Sequence, residues 1–264
     1  MTNILLKTPE EITIMAEGGK KLGKIKHALM EKVRQGVNAK EIDDLADELI
    51  KKTGGKASFK MVSGYHWATC VNVNVGVVHG IPKKEVIFKN GDLVSIDIGL
   101  FYKGFHTDTS ISFEVGGKGV HKLFLETGKK ALLAAIGKTR VGHRISDISR
   151  EIESTLKQMG YSPIRALVGH GVGRDLHEEP PIPCFINGKT LSSPEIPKGA
   201  VLAIEVMYST GSGEIKVGED GWTISTSDDT ISGLFEDSVA VTKNGPLVLT
   251  ESSQTEPDSV FTQG

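Results

Sequence analysis

Apolar positions near the start of the chain recur every three or four residues, which is typical of amphipathic helices. Thr8 and Glu11 form a capping-box pattern before the first such segment, which predicts a helix from about Pro9 to Arg34. Asn38 gives the same signal for a second helix, which we expect to end at Gly54-Gly55. Two helices are therefore predicted at the start of the chain.

The pattern then changes to the alternation and valine enrichment of strands, beginning at residues 69–81. We predict strands at 93–100 and 105–115 and helices at 120–137 and 146–159. Beyond them, strand-like runs alternate with Gly and Pro turns to residue 249. The sequence thus predicts helices and strands in both halves.

Composition limits the class of protein. The 264 residues are 38% hydrophobic and 24% charged, with a formal net charge of −2, so no basic footprint for nucleic acid is present. We expect one catalytic domain over residues 1–250 and a disordered tail over 251–264. Without a signal-peptide pattern or a membrane-length apolar run, we predict a cytoplasmic protein that does not contact membranes. The two cysteines, Cys70 and Cys184, are expected to be free thiols.

Two segments of the chain are similar to two others. Residues 90–98 and 198–206 each open with a glycine turn and carry an acid six residues after the glycine. A His-Gly pair precedes each of them, in residues 78–81 and 169–172. This repetition indicates a duplicated α/β unit with pseudo-twofold symmetry, although segments this short also match by chance.

The acids of these repeats, Asp97 and Glu205, stand in apolar strands. A buried carboxylate is costly unless it is paired or bound to a cation. One such acid is more often the partner of an Arg or Lys side chain. Two acids in matching positions favour a shared cation site instead.

Further candidate ligands lie close by in the sequence. Asp108 follows Asp97 after eleven residues, Glu236 lies one strand beyond Glu205, and His170 stands between two glycines. Four carboxylates and one imidazole suit two divalent ions, and such a pair of ions can activate water for amide hydrolysis. His79 and His177 are further candidates, for hydrogen bonding or proton transfer.

Other catalytic motifs do not fit. His177-Glu178-Glu179 lacks the second histidine of a zincin motif, because residue 181 is proline. Neither a phosphate-binding loop with its lysine nor a nucleophile elbow is present.

Several segments together resemble type I methionine aminopeptidases of the pita-bread metallopeptidase superfamily, over about residues 8–250. They are VHGIP (78–82), NGDLVSIDIG (90–99), GFHTDTS (104–110), GHGVGRDLHEEP (169–180) and EDGWTISTSD (219–228). The resemblance implies an α+β pita-bread fold, with two similar α/β halves around an antiparallel sheet. It also implies release of an N-terminal methionine, from peptides and nascent proteins, when the second residue is small.

The resemblance assigns roles to matching residues. The metal ligands would be Asp97, Asp108, His170, Glu205 and Glu236, with Asp108 and Glu236 bridging two divalent ions of cobalt, manganese, iron or zinc. His79 would bind near the scissile amide, His177 would bind the carbonyl oxygen, and Glu205 would also transfer a proton. A monomer is expected, and a ribosome contact is left open.

The sequence departs from the family pattern near the expected methionine pocket. Val206 replaces a proline, Leu176 replaces a phenylalanine, and the segment from Tyr65 to Cys70 is one residue short. We predict that the pocket is formed by Cys70, Trp67, Leu176 and Trp222, together with His79 and His177.

Two alternatives have different consequences. One is an aminopeptidase or dipeptidase of the same superfamily that acts before proline. The other is a metal-free binding protein on the same fold, but such a protein would be expected to have lost ligands, and all five are present here.

Overall fold

The computed structural model describes residues 4–186 and 193–251, and most of the predicted tail lies outside these residues. The helices are α1 (Pro9–Lys32), α2 (Ala39–Lys52), α3 (Lys122–Lys138) and α4 (Ile145–Gln158), with a short 3₁₀ turn at Phe59–Met61. The strands of the first half are β1 (Lys56–Ala57), β2 (Thr69–Val73), β3 (Gly76–Val78), β4 (Leu93–Tyr102) and β5 (Phe105–Glu114). Those of the second half are β6 (Ser162–Pro163), β7 (Val168–Gly171), β8 (Glu178–Pro183), β9 (Val201–Ser209), β10 (Ile215–Val217), β11 (Ile224–Thr226), β12 (Ser232–Thr242) and β13 (Gly245–Val248).

The predicted caps of the first two helices are confirmed. The Thr8 hydroxyl accepts the Glu11 N–H and the Glu11 carboxylate accepts the Thr8 N–H, while Asn38 and Glu41 form the same pair of bonds. These bonds satisfy N–H groups that have no partner within a helix. The first helix ends at Lys32, two residues before the predicted end, and the other helix predictions hold to within two residues.

A ten-stranded antiparallel sheet organises the described residues, in the order β1-β4-β5-β12-β9-β7-β8. Strand β2 also pairs with β4, β6 with β9, and β13 with β12, while β10, β11 and β3 form a smaller sheet. The central strands β5 and β12 come from different halves of the chain. The duplicated α/β architecture around an antiparallel sheet is therefore confirmed.

Each half packs a helix pair against antiparallel strands. In the first half, α1 and α2 cover β4 through buried residues that include Leu29, Ile42, Ile96, Ile98 and Leu100. In the second half, α3 and α4 cover β9 and β12 through a cluster that includes Ala135, Ile148, Ile152, Ile204 and Leu234. Because side chains alternate along a strand, Asp97 and Glu205 project from the sheet face opposite these helices.

Candidate active site

The strand register aligns three predicted ligands. Asp97 on β4 pairs with Ser110 on β5, and Ser110 pairs in turn with Glu236 on β12. Glu236 then pairs with Glu205 on β9. Directly paired residues project from the same face of a sheet, so the three acids form one row across four strands.

The other two predicted ligands join this row from the same face. Asp108 stands two residues before Ser110 on β5, and His170 on β7 pairs with Ala203, two residues before Glu205. Ligand atoms of Asp108, His170 and Glu236 lie within 4.8 Å of one another. His170 Nε2 lies 3.4 Å from the Glu205 carboxylate. The predicted convergence of the five side chains is therefore seen in the structure.

These side chains open into a cavity of about 120 Å³. Its polar lining consists of Asp97, Asp108, Glu205, Glu236, His79, His170 and His177. Asp108 and Glu236 are buried, whereas Glu205 and His170 keep about an eighth of their side-chain surface exposed. The ring centroids of His170 and His177 are 4.5 Å apart. The cavity thus combines acids and imidazoles in a space that admits a small ligand.

Four carboxylates this close repel one another in their ionised forms. Burial raises the pKa of Asp97 to about 7. Burial, with the neighbouring acids second, raises the pKa of Asp108, Glu205 and Glu236 well above the usual range. Bound divalent cations would offset both the burial of the carboxylates and the repulsion between them.

The hydrogen bonding of the acids fits bound cations as well. Asp97 Oδ1 and Glu236 Oε1 are buried without a hydrogen-bond partner among the described residues. Within the same part of the chain, none of the four acids forms an ion pair with Lys or Arg. The alternative that each acid is neutralised by its own basic residue is therefore not supported. Oxygen and imidazole donors of this kind suit divalent metals.

The His170 ring has the protonation that a ligand needs. Burial, and secondarily the neighbouring His177, lowers the pKa of His170 to about 4, so the ring is neutral at pH 7. Its Nδ1 lies 2.8 Å from the Gly171 carbonyl oxygen, which can only accept a hydrogen bond. Nδ1 therefore carries the proton, and the lone pair of Nε2 faces the acids.

His79 reaches the cavity from a tight turn after β3. Its backbone φ is +56°, an uncommon value for a residue with a side chain. The next residue, Gly80, donates its N–H to Asn72 Oδ1, and its carbonyl accepts the Val71 N–H. A Cβ at Gly80 would lie 2.3 Å from the Val71 carbonyl oxygen, so only glycine allows this close approach. The turn thus holds His79 at the cavity that the acids line.

Contacts of Glu178 fix the loop that carries His177. Glu178 accepts the Arg174 N–H at 2.7 Å and forms an ion pair with Lys7, whose side chain is as deeply buried as its own. Burial lowers the pKa of both His177 and His79, so their rings are held in the neutral form.

One end of the cavity is apolar. Its lining includes the predicted Cys70, Leu176 and Trp222, together with Phe59, Val62, Tyr65 and Val78. Burial raises the pKa of the Cys70 thiol well above its usual value, so this side chain contributes surface and not a nucleophile.

Trp67 is an exception among the predicted pocket residues, because it does not line the cavity. Its ring packs edge-on against Tyr65, with centroids 5.2 Å apart. Tyr65 itself faces the cavity, and its hydroxyl donates to the Thr69 carbonyl oxygen at 2.9 Å. The sequence prediction chose the wrong aromatic residue of this segment, since the segment has no period that tells which ring points inward.

The site can be compared with known proteins. The profile of metallopeptidase family M24 matches residues 13–243. A methionine aminopeptidase of Clostridium perfringens is 41% identical, and the match covers 94% of this chain and 98% of that protein.

Solved structures of methionine aminopeptidases are also similar to this chain. The crystal structure of a methionine aminopeptidase from Thermotoga maritima has a TM-score of 0.91 at 39% identity, and the match covers 95% of this chain and all of that one. A prolidase of Pyrococcus furiosus shares the fold with a TM-score of 0.75, but it is 23% identical and is matched over 66% of its length. Among the described residues, no helix has the length and apolar character required to cross a membrane.

Proposed function

This chain belongs to metallopeptidase family M24, and from that premise we propose that it is a methionine aminopeptidase. It hydrolyses the first peptide bond of peptides and nascent proteins and releases an N-terminal methionine when the second residue is small. The observation that carries this proposal is the convergence of five ligand-type side chains and two histidines on one cavity.

The ligand set consists of Asp97, Asp108, His170, Glu205 and Glu236. We propose that it would hold two divalent ions of cobalt, manganese, iron or zinc, and that Asp108 and Glu236 would contribute to both. The unpartnered oxygens of Asp97 and Glu236 support this assignment. Such ions supply a Lewis acid and an activated water.

His79 and His177 act on the substrate. Both rings are neutral near pH 7, so each can donate one hydrogen bond from a ring N–H. His177 donates to the oxygen of the scissile carbonyl, where negative charge develops. His79 binds the region of the scissile amide.

Glu205 transfers a proton. Its carboxylate lines the cavity beside His170, where it can accept and return a proton. Its row neighbour Glu236 and the adjacent His170 fix its position.

The apolar end of the cavity receives the methionine side chain. Tyr65 and Trp222 form an edge-to-face pair, with ring centroids 5.1 Å apart, and Leu176 and Cys70 complete a surface without charge. A flexible thioether packs well against aromatic rings. Cysteine and leucine at these positions leave room for an unbranched side chain.

The proline-directed alternative has less support, since the prolidase match shows only the fold whereas the methionine aminopeptidases match over nearly their whole length. A metal-free binding protein is disfavoured, because all five ligands converge. The cytoplasmic location, the monomeric state, any ribosome contact and the single catalytic domain over residues 1–250 stay predictions.

The test measures peptide cleavage together with metal content. The purified chain, supplied in turn with Co²⁺, Mn²⁺, Fe²⁺ and Zn²⁺, is incubated with Met-Ala-Ser, Met-Leu-Ser and an Ala-Pro peptide. We expect methionine release from the first peptide only, with about two ions bound per chain. Cleavage of the Ala-Pro peptide in place of Met-Ala-Ser would overturn the proposed specificity, and a chain that binds no divalent ion would overturn the metallopeptidase assignment.

A further inference from the structure

The two halves of the protein meet where β5 lies beside β12, and we call this boundary the seam. Backbone pairing at the seam is confined to Ser110 with Glu236 and Thr109 with Asp237. Within each half, pairing is continuous, over residues 93–102 of β4 and residues 201–209 of β9. The seam is therefore the weakest backbone ladder in the centre of the sheet, yet two of the ligands stand on its two strands.

Serine hydroxyls replace the missing backbone bonds on both sides of the paired positions. Ser238 on β12 stands opposite Asp108, and its hydroxyl accepts the Asp108 N–H at 2.9 Å and donates to the Asp108 carbonyl oxygen at 2.8 Å. Ser112 on β5 makes the same two bonds to Leu234, both at 2.8 Å. One hydroxyl can make both bonds, because it has one proton and two lone pairs. The seam thus has two serine clasps, by which we mean the paired hydrogen bonds of Ser238 to Asp108 and of Ser112 to Leu234. The first of them binds the main chain of a ligand.

A third hydroxyl, that of Thr109, contacts the main chain of the other ligand at the seam, Glu236. The Thr109 hydroxyl on β5 has two acceptors for its one proton, and the carbonyl oxygen of Glu236, at 2.8 Å, is nearer than the Asp237 carboxylate, at 3.1 Å. On the helix side of the sheet, Thr109 Oγ1 accepts from Lys26 at 2.6 Å, and Lys26 also contacts the Asp237 carboxylate at 3.2 Å. The Thr250 hydroxyl donates to the same carboxylate at 2.7 Å. Lys26 on α1, Asp237 on β12 and Thr250 therefore form a hydrogen-bond network that fixes the Thr109 side chain.

These contacts have a common consequence. The main chain of Asp108 is held by a hydroxyl from the second half, and the main chain of Glu236 by a hydroxyl from the first. The spacing between the two carboxylates follows from the width of the seam at these bonds. In a metal site the distances between ion and ligands lie within about 0.2 Å of standard values, so the separation of the two carboxylates bears on how well they bind the ions.

We propose that Ser238 and Thr109 are positioning residues, which set the separation of Asp108 and Glu236 and thereby the affinity of the site for its ions. This inference rests on the ligand set proposed above. It predicts that loss of either hydroxyl weakens metal binding more than it weakens the fold, although neither side chain faces the cavity as a ligand.

The chain offers matched controls. Ser112→Ala removes the equivalent pair of bonds from Leu234, which is no ligand, together with a third contact of the Ser112 hydroxyl, to Ser95 Oγ at 2.7 Å. Thr109→Val removes a hydroxyl at nearly constant volume, and Thr109→Ser keeps the hydroxyl and removes a methyl group. Comparison of these pairs separates positioning from general stabilisation.

The experiment is a calorimetric titration of Mn²⁺ into each metal-free protein, together with thermal unfolding of the same samples. We expect Ser238→Ala and Thr109→Val to bind Mn²⁺ about 10- to 100-fold more weakly, the range found when partners of metal ligands are removed. Ser112→Ala should lower the unfolding temperature by at least as much as Ser238→Ala, because it also removes the contact with Ser95, while its Mn²⁺ affinity changes less than about threefold. Thr109→Ser should bind like the unsubstituted chain.

A second readout is the electron paramagnetic resonance spectrum of the Mn²⁺-loaded proteins, which reports the coupling between neighbouring ions. Altered coupling is expected in Ser238→Ala and Thr109→Val only. Equal effects of Ser112→Ala and Ser238→Ala on Mn²⁺ affinity would overturn the inference and leave the proposed function intact. If Ser238→Ala does not fold, the Mn²⁺ affinities of Thr109→Val and Thr109→Ser test the inference, and equal affinities of these two variants would overturn it. An unsubstituted chain that binds no Mn²⁺ would overturn the ligand set itself.

Discussion

The buried ion pair between Lys7 and Glu178 gives a quantitative prediction. Both side chains are about 1% exposed, and Glu178 follows His177 directly in the chain. The Lys7 stem passes beneath Gly173, where a Cβ would lie 2.2 Å from its Cε atom. Lys7→Met keeps most of the side-chain volume and removes the cation. The Glu178 carboxylate then stays buried with hydrogen bonds from the loop backbone but without its charged partner.

The expected cost can be worked out from this geometry. Removal of one partner of a buried ion pair costs about 3–5 kcal/mol, because the remaining charge is uncompensated. The Arg174 N–H, at 2.7 Å from Glu178, moderates the loss, so we expect about 3 kcal/mol. For a protein of this size that corresponds to a fall of roughly 6–12 °C in the unfolding temperature.

The measurement is a calorimetric thermal scan at fixed pH and fixed Mn²⁺ concentration, since bound ions also stabilise the folded state. The control is the double variant Lys7→Met with Glu178→Gln, which removes both charges and keeps an acceptor for the backbone N–H groups. Replacement of a whole buried pair is often nearly neutral, so the double variant should regain at least half of the loss. A single variant that loses less than about 1 kcal/mol, or a double variant that is less stable than the single one, would refute the reasoning.

Further predictions concern the site. Asp108→Asn should lower kcat/KM by more than about 100-fold, with a parallel loss of bound ions by elemental analysis, because a shared ligand fixes both; near-normal turnover would contradict the ligand set. His177→Ala should lower kcat by about 10²–10³-fold and change KM less, because the ring acts on charge that develops in the transition state; a change confined to KM would contradict that role. The metal-free chain should lose stability as the pH rises above about 4, where the unfolded carboxyl groups release their protons, by up to about 1.4 kcal/mol per pH unit for each proton that the folded chain retains. The raised pKa values of Asp108, Glu205 and Glu236 keep protons on the folded chain that the unfolded chain has released, and saturating Mn²⁺ should abolish the slope.

Much of this protein could be predicted from local sequence patterns. The capping boxes at Thr8 and Asn38 give the starts of two helices, because a cap depends only on residues three positions apart. Asp97 and Glu205 could be recognised as site residues because a lone acid in an apolar strand is costly wherever the strand lies. The matching positions of these acids also indicated the duplication.

The seam and the supports of the site could not be predicted in this way. Nothing in the local sequence indicates that Lys7 pairs with a carboxylate 171 residues away, or that Ser238 replaces a backbone bond to Asp108. The local sequence also does not show that Tyr65 lines the cavity and Trp67 does not, because this depends on where the folded chain forms the cavity. The sequence alone determined the elements and the chemistry of the ligands, since both follow from residue types at short spacing. Only the tertiary structure decided how the two halves meet, because the strand register and the contacts between distant residues exist only once the chain has folded.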